Sequence, residues 1–247
     1  MFGKNGKTSF KEMRQISIAL AVIATMFFSV TGASAAIPVS ATSSIVPGYH
    51  WVTTSIGASV LVPNANPQDK AAWIATNPVI GSNVKGSSSL ILHGADNLAT
   101  PYASTVGGNS LSSAGSLPYG GSTIQATGLT NITWTNYVGI SYVAFYNSEV
   151  HDYWWGSSPY NANAISPSMK WWLSGINVSV SIPAGGSFSG SGGSAVVYAP
   201  GQVPNTWQAN AYYSYNVNES ATFVYSANFQ TYGDFLFGSS WYHVQGN

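Results

Sequence analysis

The 247-residue sequence contains no cysteine. That removes disulfides, thiolate nucleophiles and cysteine-ligated metals from consideration. Charge is nearly as scarce, because Asp, Glu, Lys and Arg together make up 6% of the chain against a usual share of about 25%. Arginine occurs once, as Arg14, so no guanidinium clamp for phosphate or carboxylate can form outside the N-terminal segment. The lysines beyond it are Lys70, Lys85 and Lys170. Three scattered ammonium groups cannot follow a nucleic-acid backbone, which demands a basic stripe, and nucleic acid is excluded as a partner. Long apolar runs are missing too, with one exception.

The exception runs from Ile16 to Val30, behind Lys4, Lys7, Lys11 and Arg14 and ahead of Ala33-Ser34-Ala35. A positive start, an apolar stretch and a small-residue site form the pattern of a secretory signal peptide. The stretch is shorter than the ~20 residues that span a bilayer. The expectation is a leader over residues 1–35 and a secreted, extracellular body over 36–247, with no integral membrane span after cleavage. That body holds three lysines, six carboxylates and a net charge of −3. A domain of about 200 residues buries roughly 70% of its unfolded surface and folds without staples. So few carboxylates leave few ion pairs to lose in acid, which predicts acid tolerance.

What is present in quantity is strand pattern. Ile176, Val178, Val180 and Ile182 alternate with Asn177, Ser179 and Ser181, and Phe223, Tyr225, Ala227 and Phe229 alternate with Thr222, Val224, Ser226 and Asn228. Similar segments recur at 50–62, 88–93, 122–127, 130–135, 137–146, 150–155, 194–199, 207–217 and 235–244, parted by Gly, Pro, Asn and Ser. Period-two alternation means one wet face and one buried face, which predicts a single all-β domain, an antiparallel β-sandwich or jelly roll. One short helix is expected after Asn66-Pro67-Gln68-Asp69. Residues 94–121 and 184–194, rich in Gly and Ser, read as surface loops.

Candidate chemistry starts from the carboxylates. Asp69, Asp96, Glu149, Glu219 and Asp234 fall at expected turns, loops or caps, with Glu219 at the tip of a 207–217/221–231 hairpin; only Asp152 falls within a strand. Glu149 and Glu219 are the only glutamates beyond the leader. They are therefore the natural catalytic pair for an acid-active secreted hydrolase, a glycoside hydrolase or an acid peptidase. Such a pair must face across a cleft about 5–9 Å wide. A hairpin tip is a poor place to desolvate an acid. His93 with Asp96 and His151 with Asp152 are the only local His–carboxylate pairs, and no His-x-His or His-x-x-x-His spacing occurs, so neither a metal nor a cofactor is expected. Asn131, Asn177 and Asn218 open N-x-[ST] sequons, which matter only in a glycosylating host.

Aromatic residues are the excess: 9 Trp and 15 Tyr, none of them in the leader. Neighbours on a strand point to opposite faces, so each Trp-Trp pair, at 154–155 and 171–172, divides between the two sides. Phase taken from Ile176, Val178 and Val180 turns Trp172 inward and puts Trp171 beside Asn177, Ser179 and Ser181 on the polar face. The same argument sends Tyr213, Tyr215 and Val217 in and Tyr212 out. Exposed rings among amides and hydroxyls suit stacking on sugars. Trp155, Trp171 and Tyr212 are accordingly the candidate ligand-binding residues of a non-catalytic binding or cell-surface protein, with polysaccharide or cell-surface glycan as partner. The hydrolase is the alternative. A third reading takes residues 171–199 as a pore-forming β-hairpin, although transmembrane strands need about 9–11 alternating residues.

Overall fold

In the segment Phe223–Phe237, Phe229, Thr231, Gly233, Phe235 and Phe237 point inward while Gln230, Tyr232, Asp234 and Leu236 reach the surface. The alternation read from sequence is thus the alternation of a real strand, and the same rule builds most of the molecule. The computed structural model describes residues 46–64, 70–77, 79–82, 84, 87–92, 105–137, 140–181 and 195–247. The expected leader, Asp69, His93, Asp96 and the 184–194 connector lie outside the described residues.

The described strands are β1 (Tyr49–Thr53), β2 (Ser59–Pro63), β3 (Ser89–Ile91), β4 (Thr105–Tyr119), β5 (Ser122–Tyr137), β6 (Ile140–Trp154) and β7 (Ala162–Ile176). They continue with β8 (Ser179–Ser181), β9 (Ala195–Tyr198), β10 (Val203–Thr206), β11 (Gln208–Tyr213), β12 (Val217–Ala221), β13 (Phe223–Phe237) and β14 (Ser240–Gln245). The described helix, α1, is Lys70–Thr76.

All the pairings among the described residues are antiparallel and form two sheets, giving an all-β sandwich. Sheet A runs β1-β2-β11-β6-β12-β8, with β5 along the other edge of β6 and β4 beyond it. Sheet B runs β10-β7-β13-β14, with β9 against β7 and β3 against β13. Between the sheets lie Phe145, Trp154, Ile165, Trp171, Trp207, Phe229 and Phe235, all essentially without solvent contact. Near one end Tyr119 stacks on Phe237 at 4.2 Å, with Trp154 edge-on to both. The C-terminus helps close the sandwich: Gly246 N donates to Thr231 O at 2.8 Å and Asn247 N to Ala114 O at 3.2 Å.

The structure corrects three expectations. Residues 105–119, read as loop, form β4, paired with β5 from Thr105↔Asn136 to Tyr119↔Ser122. Pairing along the whole length overrides the weak strand propensity of Gly, Ser and Asn. The hairpin turns through Gly120 and Gly121, at φ 53° and 75°, the double positive φ of a tight two-residue hairpin. The second correction concerns phase. Residues 171–182 are not one strand, because Asn177 at φ 53° breaks the run, and β7 belongs to sheet B while β8 belongs to sheet A. Phase taken from 178–180 therefore does not carry back to 171: Trp171 is fully buried and Ile176 is exposed. Third, Tyr215, expected inside, is exposed beyond the end of β11, whereas Tyr213 and Val217 are core.

Helix α1 is held by Lys70. Its ammonium donates to the carbonyls of Trp154 and Gly156, and it sits 5.0 Å from the Trp207 ring and 5.7 Å from the Trp154 ring. Trp73, one turn on, packs edge-on to Tyr49 and Trp207.

Candidate functional site

Glu149 and Glu219 lie on opposite faces of sheet A. Both belong to strands: Glu149 in β6 opposite Tyr212, and Glu219 in β12 opposite Val143. Glu219 is not at a hairpin tip. It points between the sheets, where its Oε2 accepts from Leu173 N of β7 at 2.9 Å while Oε1 has no partner. Burial pushes its carboxyl up to about 8, against the pull of that backbone N–H. A raised acid is one half of a glycosidase pair, but this one is sealed in the interior and its expected partner faces away.

Asp152 is the second interior carboxyl. Both its oxygens are buried without a hydrogen-bond partner, and burial, with Asp234 adding like charge, raises it well above the usual carboxylate range. Gly233 on β13 makes the room. A β-carbon there would stand 2.7 Å from Asp152 Cγ.

The outer face of sheet A carries a connected polar chain. His151 Nδ1 lies 2.9 Å from Asn210 Oδ1, and its Nε2 lies 3.3 Å from Glu149 Oε1. Gln208 Nε2 donates to Asn210 Oδ1 at 2.8 Å, and Tyr49 OH donates to Gln208 Oε1 at 3.0 Å. The Val79–Ser82 segment lies over this chain. Gly81 comes so close to the His151 ring that a β-carbon would meet Cδ2 at 2.2 Å, and Thr127 Oγ1 donates to Gly81 O at 3.1 Å. His151 is completely buried, so the network pins the covering segment to the sheet and presents no reactive nitrogen. His151 and Asp152 point to opposite faces, and no group of three His, Asp or Glu among the described residues could hold a metal ion.

The other expected ligand residues divide. Trp171 is core: its Nε1 donates to Ser148 Oγ at 3.1 Å, between the sheets. This corrects the placement of Trp171 on a polar face. Tyr212 does lie on the outer face of sheet A, half-buried, edge-on to Trp51 at 5.9 Å and to His151 at 5.8 Å. Trp155 is half-buried on that face too, stacked on Tyr153 at 5.2 Å, with its Nε1 donating to Gln125 Oε1.

The outer face of sheet B offers a more open arrangement. Trp241, half exposed, and His243 are two apart on β14 and share that face with Asp234 and Tyr232 of β13. A groove of about 510 Å³ is lined by Ser166, Gln202, Asp234 and Trp241. His243 Nδ1 lies 2.6 Å from Asp234 Oδ1, with both groups reaching solvent. Tyr232 supports the histidine at 5.6 Å between rings and donates through its hydroxyl to Gln230 Oε1. Gln230 Nε2 in turn donates to Gly246 O at 2.9 Å. Chemically, the groove combines one accessible apolar ring face with a carboxylate, an amide and a hydroxyl.

No groove residue is among the catalytic or ligand-binding candidates read from sequence. By sequence Asp234 reads as a turn residue because it follows Gly233, whereas it sits inside β13 opposite Ser166 and His243. The available signal was alternation in 240–245, which puts Trp241 and His243 on one face. No protein-family model matches the chain, and comparison with curated proteins and with solved structures gives no match.

Proposed function

We propose that the chain is an exported, non-catalytic protein that binds neutral carbohydrate in the groove on the outer face of sheet B. One observation carries the reading: the half-exposed Trp241 indole borders a groove that also presents Asp234, Gln202 and Ser166. A pyranose ring has an apolar C–H face and a rim of hydroxyls. An indole suits the first, and a carboxylate, an amide and a hydroxyl suit the second. With Asp234 Oδ1 engaged by His243, Oδ2 is the oxygen that a sugar hydroxyl would meet. The shortage of arginine and lysine argues for a neutral polymer over an anionic one. Export is supported by the basic residues, apolar stretch and Ala-x-Ala order of residues 4–35. Tyr212 and Trp155 are weaker platforms, since both rings are half covered by neighbours.

The test is co-sedimentation with insoluble cellulose, chitin and peptidoglycan, followed by calorimetric titration with soluble fragments of whichever polymer retains the protein. Retention that falls with Trp241→Ala supports the reading, and absence of retention on every polymer overturns it.

A further inference from the structure

The three sequons meet the fold in different settings. To attach a glycan, a transferase must enclose both the asparagine amide and the hydroxyl two residues on, which a segment fixed inside a sheet cannot offer. Asn131 is such a case: on β5 it is bracketed by Ser110 of β4 and Tyr146 of β6, and its Oδ1 accepts from Ser110 Oγ at 2.8 Å. Asn218 on β12 is paired on both sides, to Ala144 and to Ser181, and its middle residue is the interior Glu219. Asn177 stands apart. It occupies the bend where the chain leaves sheet B for sheet A, in the left-handed region at φ 53°, which asparagine tolerates better than most residues. Its side chain is exposed, and so is that of Ser179. Ser179 lies on β8, the three-residue strand at the end of sheet A, paired only with β12 among the described strands.

The neighbourhood of Asn177 is a second, independent observation. Ile176 is 45%, Tyr225 59% and Ile91 69% exposed. The register Ile176↔Phe223 and Ile91↔Ser226 gathers them at one end of sheet B. A bulky polar substituent at Asn177 would hydrate these exposed apolar side chains.

We propose that Asn177 carries an N-linked glycan added during export. The proposal rests on the export half of the reading above and is independent of the sugar-binding half. The donor class is an oligosaccharide linked through its anomeric carbon to a lipid pyrophosphate. Asn177 Nδ2 forms the new bond to that carbon, and the bond from the carbon to the phosphate oxygen breaks. The lipid pyrophosphate leaves with the electron pair, and one amide proton passes to a base on the transferase. The remaining N–H can keep the donation to Thr222 Oγ1, now 3.2 Å long.

The experiment is mass spectrometry of the full-length gene product purified from the culture medium and cell surface of its natural source, intact and after peptic digestion. The expected result is a chain beginning at Ala36, with saccharide mass increments on the peptide containing Asn177 and none on the Asn131 peptide. Produced in the same source, Asn177→Gln and Ser179→Ala each lose the increment completely, while Ser179→Thr, which keeps the hydroxyl, retains it. Ser179→Ala avoids placing a new residue at the positive φ. A processed chain with bare Asn177, or with sugar on Asn131 or Asn218 instead, overturns the proposal and leaves export standing. An uncleaved leader overturns the export reading itself, and the proposal with it.

Discussion

Gly233 of one sheet lies directly against the Asp152 carboxyl of the other, with space for a hydrogen at its Cα and none for a methyl group. The carboxyl has no hydrogen-bond partner, so the contact is steric accommodation rather than bonding. Gly233→Ala must push the sheets apart or turn the Asp152 side chain, and overpacking of this kind costs about 1–3 kcal/mol. The same substitution made in an Asp152→Ala background should cost much less, because the clashing atoms are gone. Denaturant unfolding of the four proteins measures the coupling, and equal costs in both backgrounds would refute it.

Asp152 and Glu219 also set the pH dependence of stability. Both carboxyls titrate higher in the folded chain than in the unfolded one, Glu219 at about 8. Their contribution is therefore intact in acid and is lost as pH rises through the folded values. Each unit of displacement is worth about 1.4 kcal/mol, so the loss at Glu219 amounts to a few kcal/mol. Lys70 works in the opposite sense. Burial lowers it from 10.5 to about 7, so its desolvation weighs against folding up to that pH and is relieved as pH rises further, offset by two carbonyl acceptors and two indole faces. The net expectation is a thermal midpoint that holds in mild acid and declines from about pH 5 to 7, the relief of Lys70 opposing the decline above that. Glu219→Gln and Asp152→Asn should each flatten that decline. A midpoint that climbs with pH over this range would contradict the assignment.

Trp171→Ala should cost about 3–5 kcal/mol through lost burial and cavity formation, and it also strips Ser148 Oγ of its indole donor. Trp172→Ala should cost well under half as much. Its ring is part exposed on the outer face, 5.1 Å from Lys170 Nζ. Equilibrium unfolding of the two variants gives the order directly, and a larger cost at Trp172 would reverse the face assignment.

These two tryptophans mark how far the sequence could be read. Alternation gave the all-β class and the inward positions of Ala227 and Phe229 in β13, because side-chain period is a local property. Phase is not local once a strand breaks. Asn177 resets it between β7 and β8, Asn147 at φ 49° shifts it within β6, and the irregularity at Val224/Ser226 turns Tyr225 outward. Strand β4 was hidden because partner pairing, not composition, makes it a strand. The interior position of Glu219 was hidden for a related reason. Its strand is defined by β6 and β8 on either side, and β8 is far away in sequence. Gly233 looked like a turn signal, yet its small size answers to Asp152 on the opposite sheet. That misreading concealed Asp234 as a groove residue.

The groove on sheet B has its own signature, separable from stability. Trp241 is half exposed, so Trp241→Ala removes little buried area and should leave the unfolding midpoint within about 0.5 kcal/mol of the parent. If the indole is the sugar platform, the same change should weaken polysaccharide binding by roughly 1–3 kcal/mol, the scale of burying a large apolar side chain. Asp234→Asn keeps the shape and removes the charge. It should weaken binding by about 1 kcal/mol or more, since hydrogen bonds to ionised groups are the stronger ones. Trp155→Ala on the opposite face is the control and should leave binding unchanged. Calorimetric titration beside chemical unfolding resolves the two effects. Equal loss of binding from Trp155→Ala and Trp241→Ala would move the site off sheet B, and unchanged binding in Trp241→Ala would remove the indole from it.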